Sequence, residues 1–380
     1  MKKRIGIIGT GLIGAGLTRL VRLQSDVCVS RVLTRRKISD MQSFILNEKL
    51  TNSVEDLIAH SDLIVECSGD VIYGGEMISK ALEARLPVVT MNAELQVTIG
   101  SYLAERGYIT EAEGDQPGCL AALNENIRQM GFHPVVYGNI KGFLNKNPKK
   151  EDMEYWSKRN GISLSMTTSF TDGTKVHIEQ ALVANGLGAD ILDSGLAGVE
   201  VDDSKIGGQI LAELSSEGTV ISDYILSPKS PPGVFITATH NEDQQEALRY
   251  YKLGEGPYYT LQSNFHLCHL EILKTIRRVL NGGSVLLNNG TNPRISVAAI
   301  AKRKLIPGDQ ISHGIGGIEV RGEAVRIADA ENHIPIGLLR NAVIKRPIEE
   351  GEMLLFSDLD IPDTYASKAW NSILKSCLTV

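Results

Sequence analysis

Gly9-Thr10-Gly11-Leu12-Ile13-Gly14 follows directly on an apolar run, Ile5–Ile8. A G-x-G-x-x-G in that setting suits a turn from a strand into a helix whose free N–H groups face an anion. Gly9 permits the tight turn, Gly11 admits the backbone to a pyrophosphate, and Gly14 lets helix and strand pack closely. About twenty residues further on, an NAD site places a carboxylate on the ribose 2′-hydroxyl. This chain has Thr34-Arg35-Arg36-Lys37 there instead. An arginine fork binds a 2′-phosphate that a carboxylate would repel, so NADP is expected over NAD.

Reducing a carbonyl with such a cofactor also needs a group that neutralises the developing alkoxide, and anchors for the substrate. The donor candidates are Lys141 at the end of an apolar run, Lys146 in Asn145-Lys146-Asn147-Pro148, and Lys175 after Asp172-Gly173. Lys175 shares a face with Glu179 whether the segment is helix or strand. For each lysine alone the competing reading is a solvated surface cation. Glu113, Asp115 and Gln116 stand in a polar turn able to bind substrate hydroxyls or a divalent cation. Carboxylates there are equally at home near a helix N-terminus. His266, His269 and Glu271 are spaced to set two rings on one helical face, with no further strong ligand nearby, so a metal site is left open. Asn145 and Asn147 serve as turn formers or as substrate ligands.

The elements that must position these groups are legible as a doubly wound α/β domain at the front of the chain. Ile5–Ile8 and Val27–Leu33 read as strands, with a helix over Gly11–Leu23 between them. Leu63-Ile64-Val65 and Val88-Val89 are apolar runs suited to strands buried on both faces, joined through a helix at Ile78–Ala84. Ligands in such sheets lie at the carboxyl ends of the strands. Cys67, Ser68 and Gly69 after one strand, and Asn92 after the next, are therefore expected near the nicotinamide ribose.

Beyond Glu113 the pattern becomes α+β: a helix from Leu120 to Met130, a strand at Val135–Ile140, a basic loop at 141–150 and a helix ending at Arg159. Ser163–Phe170 alternates like a half-exposed strand, and Lys175–Asn185 follows. The expected division is a nucleotide domain at 1–112, an α+β substrate and dimerisation domain at 113–292, and a small mostly-β domain at 293–380. A helix at about 266–281 is expected to return to the first domain.

The chain has 380 residues, 42% hydrophobic and 22% charged, with a net charge of −6. That is the composition of a soluble globular protein, and its acidity argues against a nucleic-acid surface. No uncharged run reaches the roughly eighteen residues a membrane span needs. Met1-Lys2-Lys3-Arg4 before an uncharged run imitates a secretory signal. The fingerprint glycines, with Arg19 and Arg22 close behind, favour the nucleotide reading. Five scattered cysteines with no C-x-x-C spacing suit reduced thiols in a cytoplasm.

The order of motifs resembles the homoserine dehydrogenase superfamily. It is closer to a branch with a terminal SAF (β-clip) domain, the 1-deoxyxylulose 5-phosphate reductoisomerase-like enzymes. The resemblance rests on Val89-Thr90-Met91-Asn92-Ala93-Glu94, Gly114-Asp115-Gln116-Pro117, Asn145-Lys146-Asn147-Pro148, Phe170-Thr171-Asp172-Gly173-Thr174-Lys175, Ser230-Pro231-Pro232-Gly233-Val234-Phe235 and Gly254-Glu255-Gly256-Pro257-Tyr258. Two mirrored turns, Lys302-Arg303-Lys304-Leu305-Ile306-Pro307-Gly308-Asp309 and Lys345-Arg346-Pro347-Ile348-Glu349-Glu350-Gly351-Glu352, resemble the SAF module. The resemblance implies an NADPH-dependent oxidoreductase, working as a homodimer or higher homo-oligomer, on a small polyhydroxylated and phosphorylated carbonyl compound, with isomerisation coupled to reduction in its nearest relatives. True homoserine dehydrogenases carry Asn-Lys where this chain has Asn92-Ala93, and Ala93 offers neither proton nor charge. An enzyme of that type acting on an amino-acid semialdehyde or hydroxy acid is the alternative. A non-catalytic nucleotide-binding module is a second one.

Overall fold

In a computed structural model, which describes residues 2–216 and 218–377, the chain divides into two compact units. The first comprises Met1–Cys119, His266–Asn292 and Tyr365–Val380; the second comprises Leu120–Phe265 and Pro293–Thr364.

The first unit is built on six strands: β1 (Lys3–Ile8), β2 (Val27–Leu33), β3 (Leu50–Thr51), β4 (Leu63–Glu66), β5 (Val88–Thr90) and β6 (Ile109–Glu111). They pair in the order β3-β2-β1-β4-β5-β6, every pair parallel. This is the dinucleotide-binding order, with its switch point between β1 and β4. Ile5, Ile7, Leu63, Val65 and Val89 are buried, as strands covered on both faces must be. The helix Ile272–Leu280 sends Ile272, Leu273 and Ile276 into the same core. The helix Val71–Glu83 starts seven residues before Ile78, where the sequence reading placed it. Asp70 caps it, its carboxylate accepting from the N–H groups of Ile72 and Tyr73. The last helix, Tyr365–Cys377, also joins this unit, with Trp370 fully buried.

The second unit contains a mixed sheet of β7 (His133–Lys141), β8 (Val199–Glu200), β9 (Ile221–Leu226), β10 (Gly233–Thr239) and β11 (Tyr259–Ser263), in the order β11-β10-β7-β9-β8. Beyond it come a pair, β12 (Ile295–Ala301) with β14 (Val320–Arg326), and a triplet, β13 (Gln310–His313), β15 (Arg340–Ile344) and β16 (Leu359–Asp360). The helix Thr174–Leu187 packs on β7 and β9 and also on β12 and β14. Covered from both directions, it buries every residue from Val176 to Ala184, polar ones included. This is why 293–364 shares a unit with 120–265 instead of standing apart as the sequence division had it.

One element departs in type from the sequence reading. Ser163–Phe170 is no strand: Leu164–Thr171 is a helix. Ser163 caps it by accepting from the Met166 N–H, and the hydroxyls of Thr167, Thr168 and Thr171 donate back to carbonyls four residues earlier. A run rich in Ser and Thr alternates by composition, and these local hydrogen bonds decide its conformation.

Candidate functional site

The fingerprint turn has the shape its glycines imply. Gly9 sits at φ +112, and a Cβ there would come 2.8 Å from the Cys67 carbonyl oxygen. A Cβ on Gly14 would lie 2.1 Å from the Gly9 carbonyl oxygen, so helix and turn close only on glycine. Gly11 is different: a Cβ there would meet nothing within 4 Å. It is the N-cap of the Leu12–Val21 helix, without a side-chain cap and without an acid in the first turn. Leu12 is exposed at this end and Ile13 packs toward the core. The result is an open helix N-terminus of positive potential, the cradle a pyrophosphate requires.

The turn is tied to the end of β2 by a hydrogen bond between the hydroxyls of Thr10 and Thr34, 3.2 Å apart. The Thr34 hydroxyl also accepts from the Arg36 N–H. Arg35 donates to Asp70 at 2.9 Å, and its guanidinium lies 4.4 Å from the centre of the Tyr73 ring. Thr34, Arg35 and Tyr73 line a cleft of about 470 Å³ together with Arg36, Lys37 and Lys80. Its one acid, Glu55, lies 3.5 Å from Lys80. Thr34 to Lys37, the residues that follow β2, include no carboxylate. Tyr73 was not singled out from the sequence, and Asp70 figured there only as the last residue of the loop after β4, with no signal for its contact with Arg35.

At the ends of β4 and β5 the expected residues are mostly internal. Glu66 is fully buried; one carboxylate oxygen accepts from the Ser68 N–H and hydroxyl, the other from the Thr90 hydroxyl. Burial raises its pKa. Burial also pushes the Cys67 thiol well up, reinforced by Glu66 and Glu111, which leaves Cys67 an inert packing group. Asn92 is buried and caps a short helical turn by accepting from the Leu95 N–H. Ser68 and Gly69, the latter at φ +65, are the more accessible members of this set.

The polar turn at 113–116 is stitched to the returning segment of its own unit. Glu113 pairs with Lys274 at 3.1 Å, and its N–H donates to the Thr275 hydroxyl. The Asp115 carboxylate accepts from the Gln116 N–H, and Gln116 is buried. Glu271 accepts from the Cys119 thiol and pairs with Lys274 at 2.8 Å. Burial lifts Cys119 to about 12. His266 and His269 do not share a helical face: His266 lies in the loop before the single 3-10 turn, Cys268–Leu270, that carries His269, and the following helix starts only at Ile272. The His269 ring instead fills the space beside Gly16. Among the described residues no group of His, Cys, Asp and Glu has the make-up of a metal site.

The second unit assembles three of the five catalytic candidates. Glu179, 3% exposed, accepts from Lys141 at 3.0 Å and from the Asn139 amide at 2.7 Å. Lys175, one helical turn back, stands 3.9 Å from its other oxygen. Two cations thus converge on one sequestered carboxylate, a setting in which an amine can hold or release a proton. The other two candidates lie elsewhere. Lys146 is exposed and reaches Glu323 at 3.7 Å, while Asp115 belongs to the first unit. Asn145 accepts from the Asn147 N–H, and Asn147 donates to Glu350 at 2.9 Å, so both shape their loop. Asn139 was missed by the sequence reading; inside an apolar strand its amide had no flanking signal.

A family model described as the catalytic domain of the oxidoreductase DRL matches residues 114–272, and one described as the NAD-binding domain of homoserine dehydrogenase matches residues 9–105. Homoserine dehydrogenase of Bacillus subtilis (strain 168) is 27% identical over 303 residues, covering 67% of this chain and 68% of its own. Among solved structures, a Thermotoga maritima protein described as a probable dehydrogenase aligns with a TM-score of 0.47 at 13% identity, over 75% of this chain and 91% of its own. Homoserine dehydrogenase of S. aureus aligns with a TM-score of 0.35 at 18% identity, over 48% and 51%. The doubly wound fold stands on this chain's own strand order. The two matched domains, with the dinucleotide strand order, make the chain an NAD(P)-dependent oxidoreductase, similar in those domains to homoserine dehydrogenase and to DRL.

Proposed function

We propose that the chain is an NADPH-dependent reductase of a small polyhydroxylated, phosphorylated carbonyl compound, with an isomerisation of the carbon skeleton coupled to the reduction. The observation that carries this reading is the convergence of Lys141 and Lys175 on Glu179. The residues at the fingerprint turn fit a dinucleotide: Gly11 leaves the approach open, the helix N–H groups would hold the pyrophosphate, and Arg35, Arg36 and Lys37 suit a 2′-phosphate. When bound, the cofactor supplies a hydride. A lysine of the cluster supplies the proton that completes the alcohol, leaving its amine neutral, and Glu179 orients the two ammonium groups. Lys146, Lys149 and Lys150 in the basic loop suit a substrate phosphate.

Resemblance to the SAF module supports reading 293–364 as a β-clip appendage. Homo-oligomerisation and a cytoplasmic setting are part of the same proposal. Among the described residues no helix is long and apolar enough to cross a membrane.

The test is NADPH oxidation against a panel of ketoses and aldoses, each with and without phosphate, alongside amino-acid semialdehydes. Turnover confined to phosphorylated sugars supports the reading, and turnover on none of them overturns it. Turnover on a semialdehyde instead favours the second reading, a homoserine dehydrogenase-type activity, for which the B. subtilis relative speaks. The fully buried Ala93 speaks against it, offering no charge at the end of β5.

A further inference from the structure

The helix that carries Lys175 and Glu179 begins inside a set of contacts made by the C-terminal β segment of the same unit. Asp172, fully buried, lies 2.5 Å from the Lys302 ammonium, itself 4% exposed. Lys302 is held in turn: its ammonium donates to the Gly317 carbonyl at 2.7 Å and its backbone N–H to Glu319 at 2.9 Å. The other Asp172 oxygen accepts from the Thr174 N–H at 2.9 Å, fixing the first helical residue. The Thr174 hydroxyl accepts from the Gly322 N–H at 2.9 Å. That approach needs glycine, since a Cβ on Gly322 would lie 2.7 Å from Val297 and 3.1 Å from the Thr174 methyl. One turn on, the Ala324 N–H donates to His177 at 3.2 Å. Asp172, Thr174 and His177 therefore bracket Lys175 on both sides.

We propose that Lys302 and β14 form a clasp that positions Lys175 and Glu179, making Lys302 a positioning residue for the proton-transfer cluster. This rests on the reading of that cluster given above. A buried ion pair is a poor source of stability, because removing two charges from water offsets most of their attraction. What such a pair fixes well is geometry: the short, doubly anchored contact admits one arrangement of the Asp172-Gly173-Thr174 turn. The C-terminal segment then acts on the chemistry from behind the helix. The charged groups at this end of the helix are Glu179 on the helix itself, Lys141 on β7, Lys146 on the loop after it, and Arg321 and Glu323 on β14.

The test is the rate at which acetic anhydride acetylates Lys175, relative to exposed Lys205, measured by mass spectrometry on the whole protein at fixed pH. A shift of one pKa unit in an amine changes that rate about tenfold. In Lys302→Met the Lys175 rate is expected to change by about that factor, with the circular dichroism retained. Should Lys302→Met fail to fold, Asp172→Asn/Lys302→Met removes both charges and leaves none stranded. It is expected to fold and to show the same altered Lys175. A double variant whose Lys175 reacts as in the wild type overturns the clasp and reduces the pair to a stability element. Lys175→Ala, tested for NADPH oxidation, separates the two levels. Retained turnover there defeats the reading of the cluster, while the labelling rates still decide the clasp.

Discussion

The charges at the end of β2 and those around Glu179 sit in opposite surroundings. Arg35 is 52% exposed and shares a broad open cleft with Arg36, Lys37 and Lys80, whereas Glu179 is 3% exposed, Lys175 12% and Lys141 20%. Exposed cations attract a dianion but are screened by salt and tolerate small displacements. Sequestered charges are strong only at fixed distances, and losing one strands the rest. The first arrangement suits choosing a cofactor. The second suits moving a proton, and it needs a scaffold that the first does without.

Lys175→Ala and Glu179→Gln should therefore give the largest effects, a fall in turnover of about 10²–10⁴-fold, typical for removal of a positioned acid or base. NADPH affinity, measured by fluorescence quenching, should stay within a few-fold. Equal losses in affinity and turnover would mean the cluster is structural. On the exposed side, Arg35→Asp/Arg36→Asp should weaken NADPH by about ten- to a hundredfold and leave NADH nearly unchanged. Added salt should narrow the wild-type preference. A double variant that keeps its preference for NADPH would break the contrast and place 2′-phosphate recognition elsewhere.

The same contrast explains what was legible in the sequence. The nucleotide turn is a local object whose preceding strand, three glycines and following helix all lie between Lys3 and Val21, so spacing alone conveys its geometry. The basic rim is equally local. The Glu179 cluster draws on β7 and on a helix some forty residues later, and Lys141, Lys146 and Lys175 look alike until the fold separates them. Asn139 and Lys302 were invisible as site residues for the same reason. So was the buried pair beneath Lys175, since Asp172-Gly173 reads as a turn whatever lies below it. The expected strand at Ser163–Phe170 failed because period-two alternation and a helix stitched by hydroxyls share one composition.

His177 sharpens the comparison from the buried side. Burial, aided by Lys146 and Arg321, lowers its pKa to about 3. In the unfolded chain it titrates near 6.5. Between these values the unfolded state binds the extra proton, so stability is complete above about pH 6.5 and declines as the pH falls toward 3. The slope from this one group is at most about 1.4 kcal/mol per pH unit. Urea unfolding of the wild type and of His177→Gln, which retains an acceptor for the Ala324 N–H, should diverge in pH dependence across that window. Parallel curves would show that His177 takes up a proton in the folded state.

The smallest effect on stability should come from the open side of the nucleotide turn. A methyl group on Gly14 meets the Gly9 carbonyl at 2.1 Å, so Gly14→Ala must displace the helix from the strand. About 1–3 kcal/mol of destabilisation is expected, as for other overpacked positions. Gly11 has extended backbone angles, φ −76 and ψ −167, that alanine adopts freely. A methyl group there meets no protein atom within 4 Å. Gly11→Ala should leave the unfolding free energy within about 0.5 kcal/mol of the wild type, as for a surface change. If the pyrophosphate approaches over this residue, the methyl group occupies its space, and NADPH and NADH should both weaken several-fold and in equal measure. Calorimetry of both cofactors with this variant separates the pyrophosphate cradle from the 2′-phosphate rim. A loss confined to NADPH would merge the two, and an unchanged affinity for both would remove Gly11 from the site.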